Sequence, residues 1–127
     1  MMKFLIAVFV ITLSYFTTQA QQLSGCELDS IDGMEVMFIV EEPPEYEGGY
    51  TQFYKDFKKI AKFSTNPAKA NISFVIDTEG NIRNFCSSKE IENLEELIEN
   101  INHWKAGKQK GEKVPVRLML SMSIRWG

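Results

Sequence analysis

Few residues in this chain are placed to do chemistry, and their spacing narrows what that chemistry could be. His103 is the one histidine, Cys26 and Cys86 stand 60 residues apart, and there are 17 Asp and Glu residues in 127. A catalytic histidine needs a nucleophile to activate, and no Ser or Cys dyad is visible around His103. Near the C-terminal end of an expected helix it reads instead as a cation favoured by the helix dipole, or as an exposed side chain. Zinc needs about four ligands in closely spaced groups, which two distant cysteines and one histidine do not supply. Gly48-Gly49 and Gly107 belong to no G-x-x-x-x-G-K-[ST] phosphate loop. Asn71-Ile72-Ser73 has the form of a glycosylation sequon but reads as the start of a buried strand. The expectation is a non-enzyme with no metal, cofactor or small-molecule substrate. A net charge of −3 without a basic run argues against nucleic acid as a partner.

The cysteines take their meaning from the N-terminus. Lys3 precedes the apolar run of residues 4–16, and Thr18 and Ala20 fall at the −3 and −1 positions of a cut before Gln21. That is the pattern of an exported protein's signal peptide, and the run is shorter than the roughly 20 apolar residues that span a bilayer. The expected destination is the periplasm. A second exit also fits: Leu23-Ser24-Gly25-Cys26 resembles a lipobox, which would make Cys26 a lipid anchor and the chain an envelope lipoprotein. In an oxidising compartment an even cysteine count points to a Cys26–Cys86 disulfide, closing a long loop worth about 2–4 kcal/mol. Lipidation of Cys26, or two unpaired thiols, are the alternatives.

These residues need a frame to hold them. At 44% hydrophobic and 24% charged, the chain reads as globular. It divides into a leader (1–20), a polar arm or linker (21–33) and one folded domain (34–127). Residues 34–40 (MEVMFIV) are apolar on both faces, which predicts a strand that is covered or paired, ended by Pro43-Pro44. Tyr50, Phe53, Tyr54, Phe57, Ile60 and Ala61 trace one face of a helix opened by Gly48-Gly49. Residues 72–76 and 81–86 read as a hairpin about the Asp77–Gly80 turn. Ser87 to Glu90 has capping-box form, predicting a helix whose apolar stripe runs through Ile91, Leu94, Leu97, Ile98, Ile101 and Trp104. Glu92, Glu95, Glu96 and Glu99 fill its solvated face. Last comes the longest expected strand, residues 114–126. Val116, Leu118, Leu120, Met122, Ile124 and Trp126 share its buried face, while Arg117, Met119, Ser121, Ser123 and Arg125 share its wet one. The order β-α-β-β-α-β predicts an α+β domain, two helices packed on a small antiparallel sheet.

Three segments in register resemble the TonB C-terminal domain family, the periplasmic end of bacterial energy transducers. Residues 40–49 (VEEPPEYEGG) are similar to its V-E-x-x-P-E-F-P-G-G opening. Residues 72–82 (ISFVIDTEGNI) are similar to its V-x-F-V-V-D-x-x-G-x-V hairpin. Residues 104–111 (WKAGKQKG) are similar to W-x-P-G-K-x-x-G, with Ala106 where the family usually has proline. The likeness covers about residues 36–126. It implies a protein-binding module whose last strand, here Val116 to Ile124, pairs by its edge with an extended segment of a TonB-dependent outer-membrane receptor. The arm of residues 21–33 reaches at most about 45 Å when stretched. The sequence therefore supports the fold and a binding role, or a structural envelope role, ahead of energy transduction.

Overall fold

The computed structural model describes Cys26 and residues 28–123. The leader, with its expected cleavage site, and Ile124, Arg125 and Trp126 lie outside the described residues. In chain order the elements are β1 (Ser30–Ile31), β2 (Met34–Glu35), β3 (Glu45–Tyr46), α1 (Gly49–Ile60), β4 (Lys69–Ile76), β5 (Ile82–Ser87), α2 (Leu94–Asn100), β6 (Trp104–Lys105), β7 (Gly107–Gln109), β8 (Glu112–Val114) and β9 (Val116–Ser123). The domain is mixed α+β, with two helices among the described residues and small antiparallel sheets.

The main sheet has the order β5-β4-β9, antiparallel throughout, with β4 and β9 aligned from Lys69↔Ser123 to Ile76↔Val116. Alternation sends Ile72, Phe74 and Ile76 of β4 to one face, where they meet Phe53 and Phe57 of α1 and Leu97 and Ile101 at α2. Phe53 and Phe57 are four apart, so the amphipathic stripe delivers both rings to the same side of α1. The helix ends where Asn93 intervenes. Its side-chain amide donates to the Ile60 carbonyl (2.7 Å) and its oxygen accepts from the Lys62 N–H (2.8 Å). One asparagine thus satisfies the end of α1 while standing at the start of α2.

The β4–β5 hairpin turns on Asp77, whose Oδ1 accepts from the Glu79 and Asn81 amides (2.9 Å each). Gly80 completes the turn at φ +83, and a Cβ there would lie 2.4 Å from the Trp104 carbonyl oxygen. Glycine is therefore required both by the backbone and by the close approach of β6. Between Ser73 and Val75 the β4–β5 register shifts, and Asn84 sits at φ +50. This bulge carries one extra residue in β5 and leaves Cys86 across from Ser73.

Several expectations need correction. The second helix does not run from the capping-box serine to Trp104. The Ser87 hydroxyl donates to the Lys89 carbonyl (2.6 Å), a local turn, and Ile91 bridges to Phe63 instead. At the other end, Asn100 bonds back to the Glu96 carbonyl, and Asn102 Oδ1 takes the Ile82 amide (2.9 Å). Asparagine side chains that bond to backbone in this way compete with helix continuation. Trp104 consequently lies on β6, paired with Tyr46 of β3, and is buried there. The long C-terminal strand is interrupted at Pro115, which has no N–H to give a ladder. Before it, β8 pairs with β7 about the Lys110-Gly111 turn, both residues at positive φ; after it, β9 joins β4.

Residues 34–40 do not form one strand either. Met34–Glu35 pairs with Ser30–Ile31, Met37 alone bridges in parallel to Val116, and Phe38 and Ile39 turn outward, 61% and 90% exposed. The polar arm is docked rather than loose. Ile31 and Val36 bury against Val75 on the sheet face opposite the helices, and Asp32 pairs with Arg83 (3.1 Å).

Candidate functional site

The outer edge of β9, one of the two edges of the main sheet, leaves main-chain groups available. Two hydrogen bonds at its start fix the geometry. Met37 N–H donates to the Pro115 carbonyl (2.9 Å), and Arg117 N–H donates to the Met37 carbonyl (2.8 Å). The backbone of Arg117 therefore faces away from β4. Because strand backbones alternate, Met119, Ser121 and Ser123 also turn their N–H and C=O outward, while Leu118, Leu120 and Met122 turn theirs to β4. Among the described residues no strand pairs with this edge beyond the Met37 bridge. Such an edge is a template for an added strand.

The side chains divide as their spacing predicts, with one exception. Val116 and Met122 are buried toward the core, and Leu118 and Leu120 pack half-buried against it. Met119 is 66% exposed, and Ser121 and Ser123 are exposed beside it. Arg117 was expected on the wet face. It is on that face but only 3% exposed, with its guanidinium donating to Ser73 Oγ (2.7 Å) and to Asn84 Oδ1. The docked arm and the β5 bulge close over this end of the face, and that long-range cover has no signature in the local alternation. Ile124 lies outside the described residues.

Cys26 and Cys86 are joined as a disulfide, with a Cα–Cα distance of 5.9 Å. The bond holds the arm's start against β5. A sulfur so bonded is not free for thioether attachment to lipid. Disulfide and lipid anchor are therefore mutually exclusive at Cys26. A bonded pair of this kind is compatible with an exported protein in an oxidising compartment, and no helix among the described residues is long and apolar enough to cross a membrane.

His103 follows α2 rather than ending it, exposed, with its ring edge-on to Tyr46 at 6.4 Å. Beside it, the Tyr46 hydroxyl donates to Asp56 Oδ2 (2.6 Å), a pairing between β3 and α1 that sequence reasoning missed because nothing in the spacing marks it. Burial first, then the hydrogen bond to Asp56, pushes the Tyr46 phenol well above its ordinary range. The hydrogen bonds from Tyr46 and Gln52 hold Asp56 below the usual carboxylate range. Both shifts move these groups away from neutral pH, where a general acid or base is most effective. No group of His, Cys, Asp and Glu among the described residues is arranged to hold a metal ion.

Comparison with protein-family models, curated proteins and solved structures finds no match. The functional reading therefore rests on the chain's own sequence and geometry.

Proposed function

We propose that this chain is an exported, TonB-like protein-binding module, active in the periplasm and without catalytic activity, which captures an extended segment of a partner by strand addition to the outer edge of β9. The observation that carries the proposal is the outward direction of the Met119, Ser121 and Ser123 main-chain groups, fixed by the Met37 hydrogen bonds. An extended backbone answers them with its own alternating N–H and C=O groups, and main-chain pairing supplies the affinity. The resemblance of residues 40–49, 72–82 and 104–111 to TonB C-terminal domains supports the same edge as the partner-facing one. On that basis the partner is a segment of a TonB-dependent outer-membrane receptor. The Cys26–Cys86 disulfide favours a free exported form over the lipid-anchored accessory role.

The test is titration of isotope-labelled protein with synthetic peptides copying the periplasm-facing N-terminal segments of outer-membrane receptors from the same organism. Amide shifts clustered at residues 117–123 are expected. Ser121→Pro, which removes an outward donor, should abolish them while circular dichroism stays native. Shifts confined to residues 34–40, or none with any receptor segment, would refute the reading and leave a structural envelope role ahead.

A further inference from the structure

A groove of about 520 Å³ opens on the sheet face opposite the helices, immediately behind the β9 edge. We propose that it seats one large apolar side chain of the added strand, so that the partner is an extended segment carrying a leucine-sized or aromatic residue at the position opposite Ser121. The inference rests on the strand-addition reading and adds a sequence requirement to it.

The register places two rows of side chains across this face. One row is Met119 on β9, Ser73 on β4 and Cys86 on β5; the next is Ser121, Asn71 and Ser88. Ser121 Oγ donates to Asn71 Oδ1 (2.7 Å) and Ser88 Oγ accepts from the Asn71 main-chain N–H (2.9 Å), so the oxygens of this row are engaged with one another across the strands. Met119 stands up along one side, and the Cys26–Cys86 disulfide lines the far end. The trough between them is mostly apolar and contains no charged residue. A lining of this kind favours an uncharged side chain and penalises a buried ion.

The way in is set by the edge. A residue added opposite Ser121 has its Cβ about 5 Å from that of Ser121. From there a leucine or phenylalanine side chain passes over the small serine and lies along Met119, whose flexible thioether adapts to either shape. An alanine at the same position does not reach the trough. The outward N–H and C=O groups of Ser121 fix the occupant as a β-strand rather than a free small molecule. Pairing along the edge and filling of the groove are thus two parts of one contact, in which alternate side chains confer selectivity.

The test uses the full mature chain, disulfide intact, as bait for a displayed library of random nine-residue peptides. The selected peptide is then synthesised with Leu, Phe, Ala, Gly or Asp at its conserved position. Leu and Phe forms should bind at least about tenfold tighter than the Ala form, the scale of burying one apolar side chain, and the Asp form should fail. Amide shifts should extend from Met119, Ser121 and Ser123 to Ser73, Cys86 and Ser88. Ser121→Trp, which fills the trough, should cancel the preference for Leu and Phe over Ala and Gly; a preference that survives it would overturn the groove proposal. Peptides that shift the β9 edge with no preference at any position would overturn the groove proposal and leave strand addition standing. Failure to select any peptide that shifts β9 would overturn both. A mature chain that is dimeric at micromolar concentration, with its β9 amides already protected from exchange, would make a second copy the occupant and likewise overturn the proposal.

Discussion

Replacing Trp104 by alanine should remove a large part of the stability of the domain. The indole is buried at the junction of β6 with the core, its ring centroid 5.2 Å from Tyr46, 5.3 Å from Phe53 and 5.5 Å from Phe74. Its Nε1–H donates to the Ile101 carbonyl (2.9 Å), so it also satisfies the C-terminal end of α2. Truncating a buried tryptophan costs about 3–5 kcal/mol, and the cost rises where the surroundings cannot collapse into the cavity. Here the walls are the β4 strand and the aromatic face of α1, both fixed by other contacts. A carbonyl left without its donor adds about 1 kcal/mol. The expected loss is about 4–6 kcal/mol against a typical total of about 5–15 kcal/mol for a domain. Trp104→Phe keeps most of the ring contacts and loses the N–H, so it should cost about 1–2 kcal/mol. Urea unfolding followed by far-ultraviolet circular dichroism is the assay, because Trp104 is one of only two tryptophans and its removal would distort a fluorescence signal. An alanine variant within about 1 kcal/mol of the parent would refute the packing argument. A phenylalanine variant as weak as the alanine one would show that the hydrogen bond, not the ring cluster, carries the effect.

Two further outcomes follow from the same contacts. Opening the Cys26–Cys86 bond, by reduction or by Cys26→Ser with Cys86→Ser, should lower stability by about 2–4 kcal/mol and make residues 28–36 susceptible to limited proteolysis, since Ile31, Val36 and the Asp32–Arg83 pair are then left to hold the arm; unchanged midpoints and an intact arm would contradict this. Spectrophotometric titration should show the Tyr46 phenol resisting ionisation well above its ordinary range, and Asp56→Asn should lower it only in part, because burial is the first cause and the Asp56 contact the second. The signs differ for the two partners: the Tyr46 contribution to stability is complete below the unfolded tyrosine pKa, about 10, and is lost as pH rises through the raised folded value, whereas the Asp56 contribution is present above the unfolded aspartate pKa, about 3.9, and is lost as pH falls through the lowered one. A Tyr46 that titrates like a free phenol would place it in solvent.

The parts of the fold that the sequence makes readable are those encoded within one element. The α1 stripe through Phe53 and Phe57, the Asp77–Gly80 turn and the alternation of residues 118–122 in β9 each follow from local periodicity or turn chemistry, and each matches the expectation from sequence. The failures are places where a distant residue overrides a local signal. The capping-box serine is drawn into β5 and a turn, and asparagines 93, 100 and 102 spend their side chains on backbone groups that set both ends of α2. Residues 34–40 have the composition of a strand, yet only Met37 pairs with the main sheet, because the chain must next reach β7, where Glu42 pairs with Lys108.

The candidate edge shows both sides of this at once. Its alternation could be read from the serines and Met119, but the direction of its free main-chain groups could not. That depends on the register of β9 against β4, whose residues lie far away in sequence, and the two hydrogen bonds of Met37 at the strand's start mark the outward side. Shift that register by one residue and the outward set becomes Leu118, Leu120 and Met122, whose side chains would then leave the core face. The same one-residue logic explains why Met119 and Ser121 both face the groove and flank the edge. Backbone direction and side-chain direction are coupled at every residue of a strand, so the register that turns the Ser121 main chain outward also fixes which side chains an incoming strand will meet.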